Sequence, residues 1–288
     1  MAKNSSNPAI PVEINELQYN KYFAKHIKLG RRGPKIKIKI WTLLNYILFL
    51  LHTGCQWHKI PIQKDAYGKL EISHSQVFKH FKRWVTLGFI NNIFIASVEL
   101  LKDNNLLDTD ILHGDGTSTV AKKGGDNLGR NGHKHHKGDK IVAICDRNCN
   151  IIAPFITAPG NTNECPLLQK ALQPLKEITK LLDIDISGSI LSLDGGYDSK
   201  VNRKNIFNAS MIPNIPENKR NRKKTKCGRK RIFNPNIFEE RFRTIERVFA
   251  WEDKFKRLLM RFEFISEIHY GFKSLAYTMI NLRHFCKS

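Results

Sequence analysis

Apolar residues in the first third of the chain recur at three- and four-residue spacing. Leu43, Leu44, Ile47, Leu48 and Leu51 share one face, which predicts a helix from residue 40 that Gly54 stops. Residues 73–87 predict a second helix, with Val77, Phe81 and Trp84 on one side and Lys79, His80, Lys82 and Arg83 largely on the other. Gly88 ends it and residues 89–101 give a third. From residue 111 the texture changes. Residues 111–120 predict a strand, and the glycine-rich, basic stretch 124–138 a loop. Residues 140–145 and 151–157 predict two strands joined by the polar turn 146–150. Pro159-Gly160-Asn161 breaks the chain, a helix follows over about 165–182, and the short apolar run 189–193 predicts a buried strand that ends at Asp194. A helix from 199, a strand near 211–215, a basic loop and two helices at about 238–262 and 268–285 complete the pattern. Three strands followed by alternating helices and strands imply an α/β fold, a mixed sheet with helices on its faces. Two regions result: a helical N-terminal module, residues 1–102, and an α/β domain, residues 103–288, carrying the basic loop 219–231.

Charge adds a partner. Lys and Arg number 48 against 26 Asp and Glu, a formal net charge of +22. Such a chain repels itself unless a polyanion is near, and each phosphate it neutralises releases a condensed counterion, so nucleic acid is expected ahead of a ribosome-associated or membrane-surface role. The basic face of residues 73–87 suits a helix-turn-helix-like module and, equally, a helical bundle with a solvated basic face. The cations expected to meet DNA are Arg31, Arg32, Lys79, Lys82, Arg83, Lys134, Lys137, Arg222, Lys223, Lys224, Arg247, Lys254, Lys256 and Arg257.

Other classes recede. The first residues show no apolar segment of a signal peptide, and the longest apolar run, residues 41–51, is too short to span a bilayer, so no membrane partner is expected. Six scattered cysteines form no disulfide framework, and Cys145 and Cys149 lack zinc partners at standard spacing, so they read as core thiols of a cytoplasmic protein. His133, His135 and His136 are interleaved with Lys134 and Lys137, which favours a phosphate-facing loop over a metal site.

Three acids stand out by position. Asp115 lies within a strand between Gly114 and Gly116, whose small size lets backbone, metal or phosphate approach. Asp194 closes a strand, where ligands of open α/β sheets gather. Glu246 borders the apolar stripe Phe238, Phe242, Ile245 and Phe249, where a charge is costly unless paired. Asp110 competes with Asp115 for the first position, and Glu252 and Asp253 compete with Glu246 for the third. A salt bridge competes with a metal at each.

The chain resembles the DDE transposases of bacterial insertion sequences, in the branch around insertion sequence 5. The resemblance runs over nearly the whole chain. It rests on Gly30-Arg31-Arg32-Gly33-Pro34, on Gly54-Cys55-Gln56-Trp57-His58-Lys59-Ile60-Pro61, on Asp115-Gly116-Thr117 and on Gly160-Asn161-Thr162-Asn163-Glu164. It continues in Asp194-Gly195-Gly196-Tyr197-Asp198 and, most specifically, in Ile245-Glu246-Arg247-Val248-Phe249-Ala250-Trp251 with Phe255-Lys256-Arg257-Leu258-Leu259, Arg261-Phe262-Glu263 and the closing 276–283. The resemblance implies a ribonuclease-H-like core with the first acid on the first strand, the second after the fourth and the third on a helix after the fifth. It implies that Asp115, Asp194 and Glu246 are catalytic and hold two Mg²⁺ ions, for which Mn²⁺ can substitute. It implies cleavage of transposon ends and joining to target DNA by a homodimer or larger assembly on DNA, at the bacterial nucleoid. A nuclease that never joins ends, and a non-catalytic DNA-binding derivative, are the competing readings. Two departures stand out. The family often has Arg four residues before the Glu, where this chain has Phe242 between Arg241 and Arg243, and the loop after Asp115 is unusually rich in His and Lys.

Overall fold

The computed structural model describes residues 8–28, 36–132, 135–218 and 231–286. The chain divides into two compact units, one of residues 1–97 with 252–288, the other of residues 98–251.

The first unit is helical. Helix α1 (Glu16–Tyr22) and helix α3 (His74–Thr86) each begin in a capping box, Asn15 with Gln18 and Ser73 with Gln76, which satisfies two orphan amide donors at each start. Helix α2 (Ile40–Thr53) stops where Gly54 adopts a left-handed conformation, φ +69°. Helix α4 (Phe89–Asp103) begins in this unit and ends in the other. The first unit's core is aromatic: Phe81 stacks on Phe272 at 4.2 Å between ring centres, and Trp57 meets Phe78 edge-on at 5.1 Å. Among the described residues, no single helix is long and apolar enough to cross a membrane.

In the second unit, β1 (Ile111–Ala121) is the central strand. Antiparallel to it runs β3 (His136–Asp146), paired from Leu112↔Asp146 to Val120↔Gly138. On the other side lies β5 (Ile190–Ser192), parallel to β1, and then β6 (Ile212–Asn214), parallel to β5. β2 (Gly129–Asn131) and β4 (Ile156–Pro159) both run antiparallel to β3. Helices α5 (Leu167–Leu181) and α6 (Lys200–Phe207) supply the crossovers that parallel neighbours require. After β6 come α7 (Pro235–Glu239), a 3₁₀ turn at Glu240–Arg243 and α8 (Ile245–Glu252). The antiparallel opening and parallel continuation make this the mixed sheet of a ribonuclease-H-like core. Helix α9 (Ser266–Leu282) follows in the first unit.

Two expectations fail in instructive ways. The stretch 124–138 is not all loop, because β2 and the start of β3 form a hairpin inside it. Gly138 within it and Gly160 beyond it serve tight packing: a Cβ on Gly138 would lie 2.0 Å from the Thr119 carbonyl oxygen, and one on Gly160 would lie 2.7 Å from that of Gly129. Nor is 238–262 one helix. Thr244 (φ −120°, ψ −93°) separates the 3₁₀ turn from α8, and α8 ends at Glu252. The break buries Arg241 and leaves Phe242 64% exposed, so the apolar stripe assumed for a continuous helix does not form.

Candidate active site

Asp115 sits opposite Ala143 at the middle of the β1–β3 ladder, its side chain 13% exposed. The parallel pairing of β1 with β5 sets Leu112 beside Leu191 and His113 beside Ser192. The chain therefore leaves β5 alongside the Asp115 segment, and Asp194 follows two residues after the strand. There it caps the 3₁₀ turn Gly195–Tyr197, accepting the Gly196 amide at 2.8 Å. Glu246 lies in the first turn of α8 with its side chain 44% exposed.

Arg241 joins two of these elements, those of Asp115 and Glu246. Its guanidinium donates to Asp115 and lies 3.8 Å from Glu246 Oε1, while its plane faces the Phe238 ring at 5.3 Å. Burial pushes the Asp115 carboxyl up to about 6, although Arg241 and the Gly116 amide, 2.8 Å away, favour its charge, and Asp194 and Glu246 push it further up. Asp115 thus feels both of the other acids. Of the rivals, Asp110 and Asp253 are exposed, and Glu252 is buried in an ion pair with Lys273.

The donor set has the chemistry of a hard divalent cation, carboxylate oxygens gathered around a positive group that already lies between two of them. Among the described residues, no three His, Cys, Asp or Glu side chains converge closely enough to hold an ion as they stand. Arg241 occupies the space between Asp115 and Glu246.

Arg241 is the residue the sequence pattern missed. The signal was Phe242 at the family's arginine position with a cation on either side; the 3₁₀ turn decides between them by rotating Arg241 inward. The glycines beside Asp115 also have a different use from the one expected. A Cβ on Gly114 would lie 2.7 Å from Leu193 Cδ2, and one on Gly116 would lie 3.2 Å from the Glu164 carboxylate and the Tyr197 hydroxyl, so both make room for protein side chains.

The expected DNA-facing cations divide into three groups. Lys79, Lys82 and Arg83 are exposed on α3, Lys137 is exposed on β3 opposite Arg130, Arg247 is half-buried on α8, and Lys254 and Lys256 are exposed. Arg257 must be withdrawn: it is 6% exposed, with its guanidinium consumed by Glu263 and by the Cys55 carbonyl at 3.0 Å. Arg31, Arg32, Lys134, Arg222, Lys223 and Lys224 lie outside the described residues. Cys145 and Cys149 are buried thiols, as their spacing suggested.

Residues 107–269, more than half of the chain, match the family model described as "Transposase DDE domain". No curated protein matches the chain. Among solved structures it is similar to a piggyBac transposase synaptic complex with hairpin DNA, at 13% identity over 60% of this chain and 46% of that one, TM-score 0.42. It is also similar to a Mos1 transposase paired-end complex with the left transposon end, at 15% identity over 65% of this chain and 61% of that one, TM-score 0.28. The chain therefore spans less than two thirds of either of those two proteins. The family match spans Asp115, Asp194, Arg241 and Glu246, and on that match the chain belongs to the transposase DDE domain family.

Proposed function

We propose that this chain is a DNA transposase of the insertion sequence 5 branch, acting at the bacterial nucleoid, which cleaves DNA at transposon ends and joins them to target DNA. The observation that supports the reading is the largely buried Asp115, whose carboxyl feels the charges of both Asp194 and Glu246 and is paired with Arg241, which also lies 3.8 Å from Glu246. In this reading Asp115, Asp194 and Glu246 hold two Mg²⁺ ions, with Mn²⁺ able to replace them. Bound there, the ions would acidify an attacking water or 3′-hydroxyl and stabilise the departing oxygen. Cleavage breaks a phosphodiester P–O bond as the water oxygen bonds to phosphorus; joining repeats the exchange with the freed 3′-hydroxyl as nucleophile. No protein nucleophile is required.

The residues support distinct tasks. Burial disfavours the charge of Asp115, and a cation bound there would favour it. Arg241, once released from Asp115, presents a planar fork suited to a phosphate. The exposed cations of α3, with those of segment 219–231, would hold flanking DNA, and two copies would pair two ends.

The test uses labelled transposon ends, purified protein and Mg²⁺. Asp115→Ala, Asp194→Ala and Glu246→Gln should each abolish cleavage and leave end binding largely intact, because affinity comes from the basic surface. Near-normal cleavage by any one removes that residue from the site. A strand-transfer assay on the same samples separates a transposase from a nuclease that only hydrolyses.

A further inference from the structure

A further acid lies beside Gly116, the residue after Asp115, and has no part in the reading above. Glu164 sits between β4 and α5, where Lys140 Nζ holds its Oε1 at 3.1 Å. Lys140 projects from β3 opposite Ser118, its side chain 7% exposed, against 37% for that of Glu164. The other oxygen is turned toward β1. Both Glu164 Oε2 and the Tyr197 hydroxyl lie 3.2 Å from the point where a Cβ on Gly116 would stand, one residue after Asp115.

Tyr197 supplies the independent observation. It is fully buried on the turn that follows Asp194, and its hydroxyl has no hydrogen-bond partner among the described residues. Burial, and then the neighbouring charges of Asp115, Glu164 and Asp194, hold that hydroxyl well above its ordinary range, so it stays a protonated donor. A buried hydroxyl left without an acceptor is costly. One kept among three carboxylates is explained if binding at the site moves an oxygen into its reach.

We propose that Glu164 is a fourth carboxylate of the acid site, contributing Oε2 to a divalent cation, and that Lys140 and the Tyr197 hydroxyl position it. The inference rests on the reading that the site takes such a cation. Four separate segments meet here: β1 through Gly116, β3 through Lys140, the β4–α5 connection through Glu164 and the β5 exit through Tyr197. The bland alternative is that Glu164 only neutralises a buried lysine. That would require the carboxylate near Lys140, but it gives Tyr197 nothing to do and does not require Gly116 to leave space for Oε2.

The experiment titrates the full chain with Mn²⁺ alone, without DNA, and follows free Mn²⁺ by electron paramagnetic resonance alongside the melting temperature of the metal-free protein. Glu164→Gln and Tyr197→Phe are each expected to weaken Mn²⁺ binding by about 10-fold or more, the usual effect of losing a positioning partner or a ligand. Tyr197→Phe should leave the metal-free melting temperature unchanged or raised, since it removes an unpartnered hydroxyl. Mn²⁺ affinity within about two-fold of wild type in both variants overturns the inference while leaving the three-acid site standing. If Glu164→Gln does not fold because Lys140 is stranded, Glu164→Gln with Lys140→Gln removes both charges, and the same loss of affinity is expected. Wild-type protein that binds no Mn²⁺ overturns the cation reading itself, and this inference with it.

Discussion

Asp198 closes the Asp194-Gly195-Gly196-Tyr197-Asp198 motif, and its fully buried carboxylate accepts from Arg203, Asn218 and Arg231 among the described residues. Oδ1 accepts from Arg203 Nε at 3.1 Å and from Arg231, and Oδ2 accepts the Asn218 amide at 3.1 Å. Asn218 and Arg231 flank residues 219–230, so one carboxylate fastens both ends of the basic segment. Asp198→Asn keeps the shape and removes the charge. Stranding a buried guanidinium costs about 3–5 kcal/mol, but two contacts soften the loss. Arg203 keeps the Ile215 carbonyl at 2.7 Å, and Arg231, 19% exposed, keeps Glu217 at 3.8 Å. The expected loss is therefore about 2–4 kcal/mol, read as a lower urea midpoint at unchanged slope at pH 7. Burial alone would raise this carboxyl, but the Asn218 amide, Arg203 and Arg231 outweigh it and hold it below its ordinary value. A depressed folded pKa means the contribution is complete above about pH 4 and lost as pH falls through the folded value, so variant and wild type should converge in strong acid. The DNA readout is separate. The variant should bind more weakly with an unchanged salt slope, because no phosphate contact is removed, whereas replacing Arg222, Lys223 and Lys224 by Gln should flatten the slope by about one logarithmic unit per lost contact. A stability loss under about 1 kcal/mol would refute the clamp, and equal slopes for wild type and the charge-stripped segment would refute its contact with DNA.

Two further outcomes concern the first unit. Ala in place of a mid-helix glycine ordinarily gains about 1 kcal/mol, but a Cβ on Gly271 would lie 2.4 Å from Val85 Cγ2. Gly271→Ala should therefore cost about 1–2 kcal/mol net, recovered in part by adding Val85→Ala; a stabilised single variant would refute the close α3–α9 approach. His269 is fully buried, with neither ring nitrogen hydrogen-bonded among the described residues and Glu263 Oε2 3.9 Å from Nδ1, and burial, then Lys273, Arg261 and Arg257, hold it well below its ordinary value. The unfolded chain then binds the extra proton, so stability is complete above about pH 6.5 and falls by up to about 1.4 kcal/mol per pH unit below it. His269→Leu should flatten that acid limb in urea titrations, and an unchanged limb would assign it elsewhere.

Much of the architecture was legible because the patterns were local. The 3.6-residue stripes of α2, α3 and α4, the paired runs of β1 and β3 and the Asp at the exit of β5 all follow from side-chain periodicity within one element. What escaped depends on partners distant in sequence. β2 is three residues long and carries Gly129, so it has almost no signature of its own; it exists because β3 offers a ladder and because Gly138 and Gly160 let neighbouring backbones approach. Arg257 carries the same charge as the exposed Lys256, yet Glu263 takes it into the interior.

The acids and the arginine differ in the same way. Asp115 is fixed by a strand, whose alternating side chains assign each residue to a face without further information, and Asp194 by the cap it makes just after one. Arg241 and Glu246 are five positions apart, and a continuous helix would put them about 140° apart around its axis, Arg241 away from the acids. The 3₁₀ turn Glu240–Arg243 and the irregular Thr244 replace that geometry with one in which both reach the same site. Nothing in the periodicity of residues 235–252 announces the break. Its local support is the Thr244 hydroxyl donating to the Glu240 carbonyl at 2.9 Å, and its tertiary support is the buried Asp115–Arg241 pair. The cost of leaving Asp115 buried and unpaired therefore favours an interrupted helix over a continuous one. In the proposed site the guanidinium beside the acids therefore comes from five residues before Glu246, where the resemblance places an arginine four residues before it.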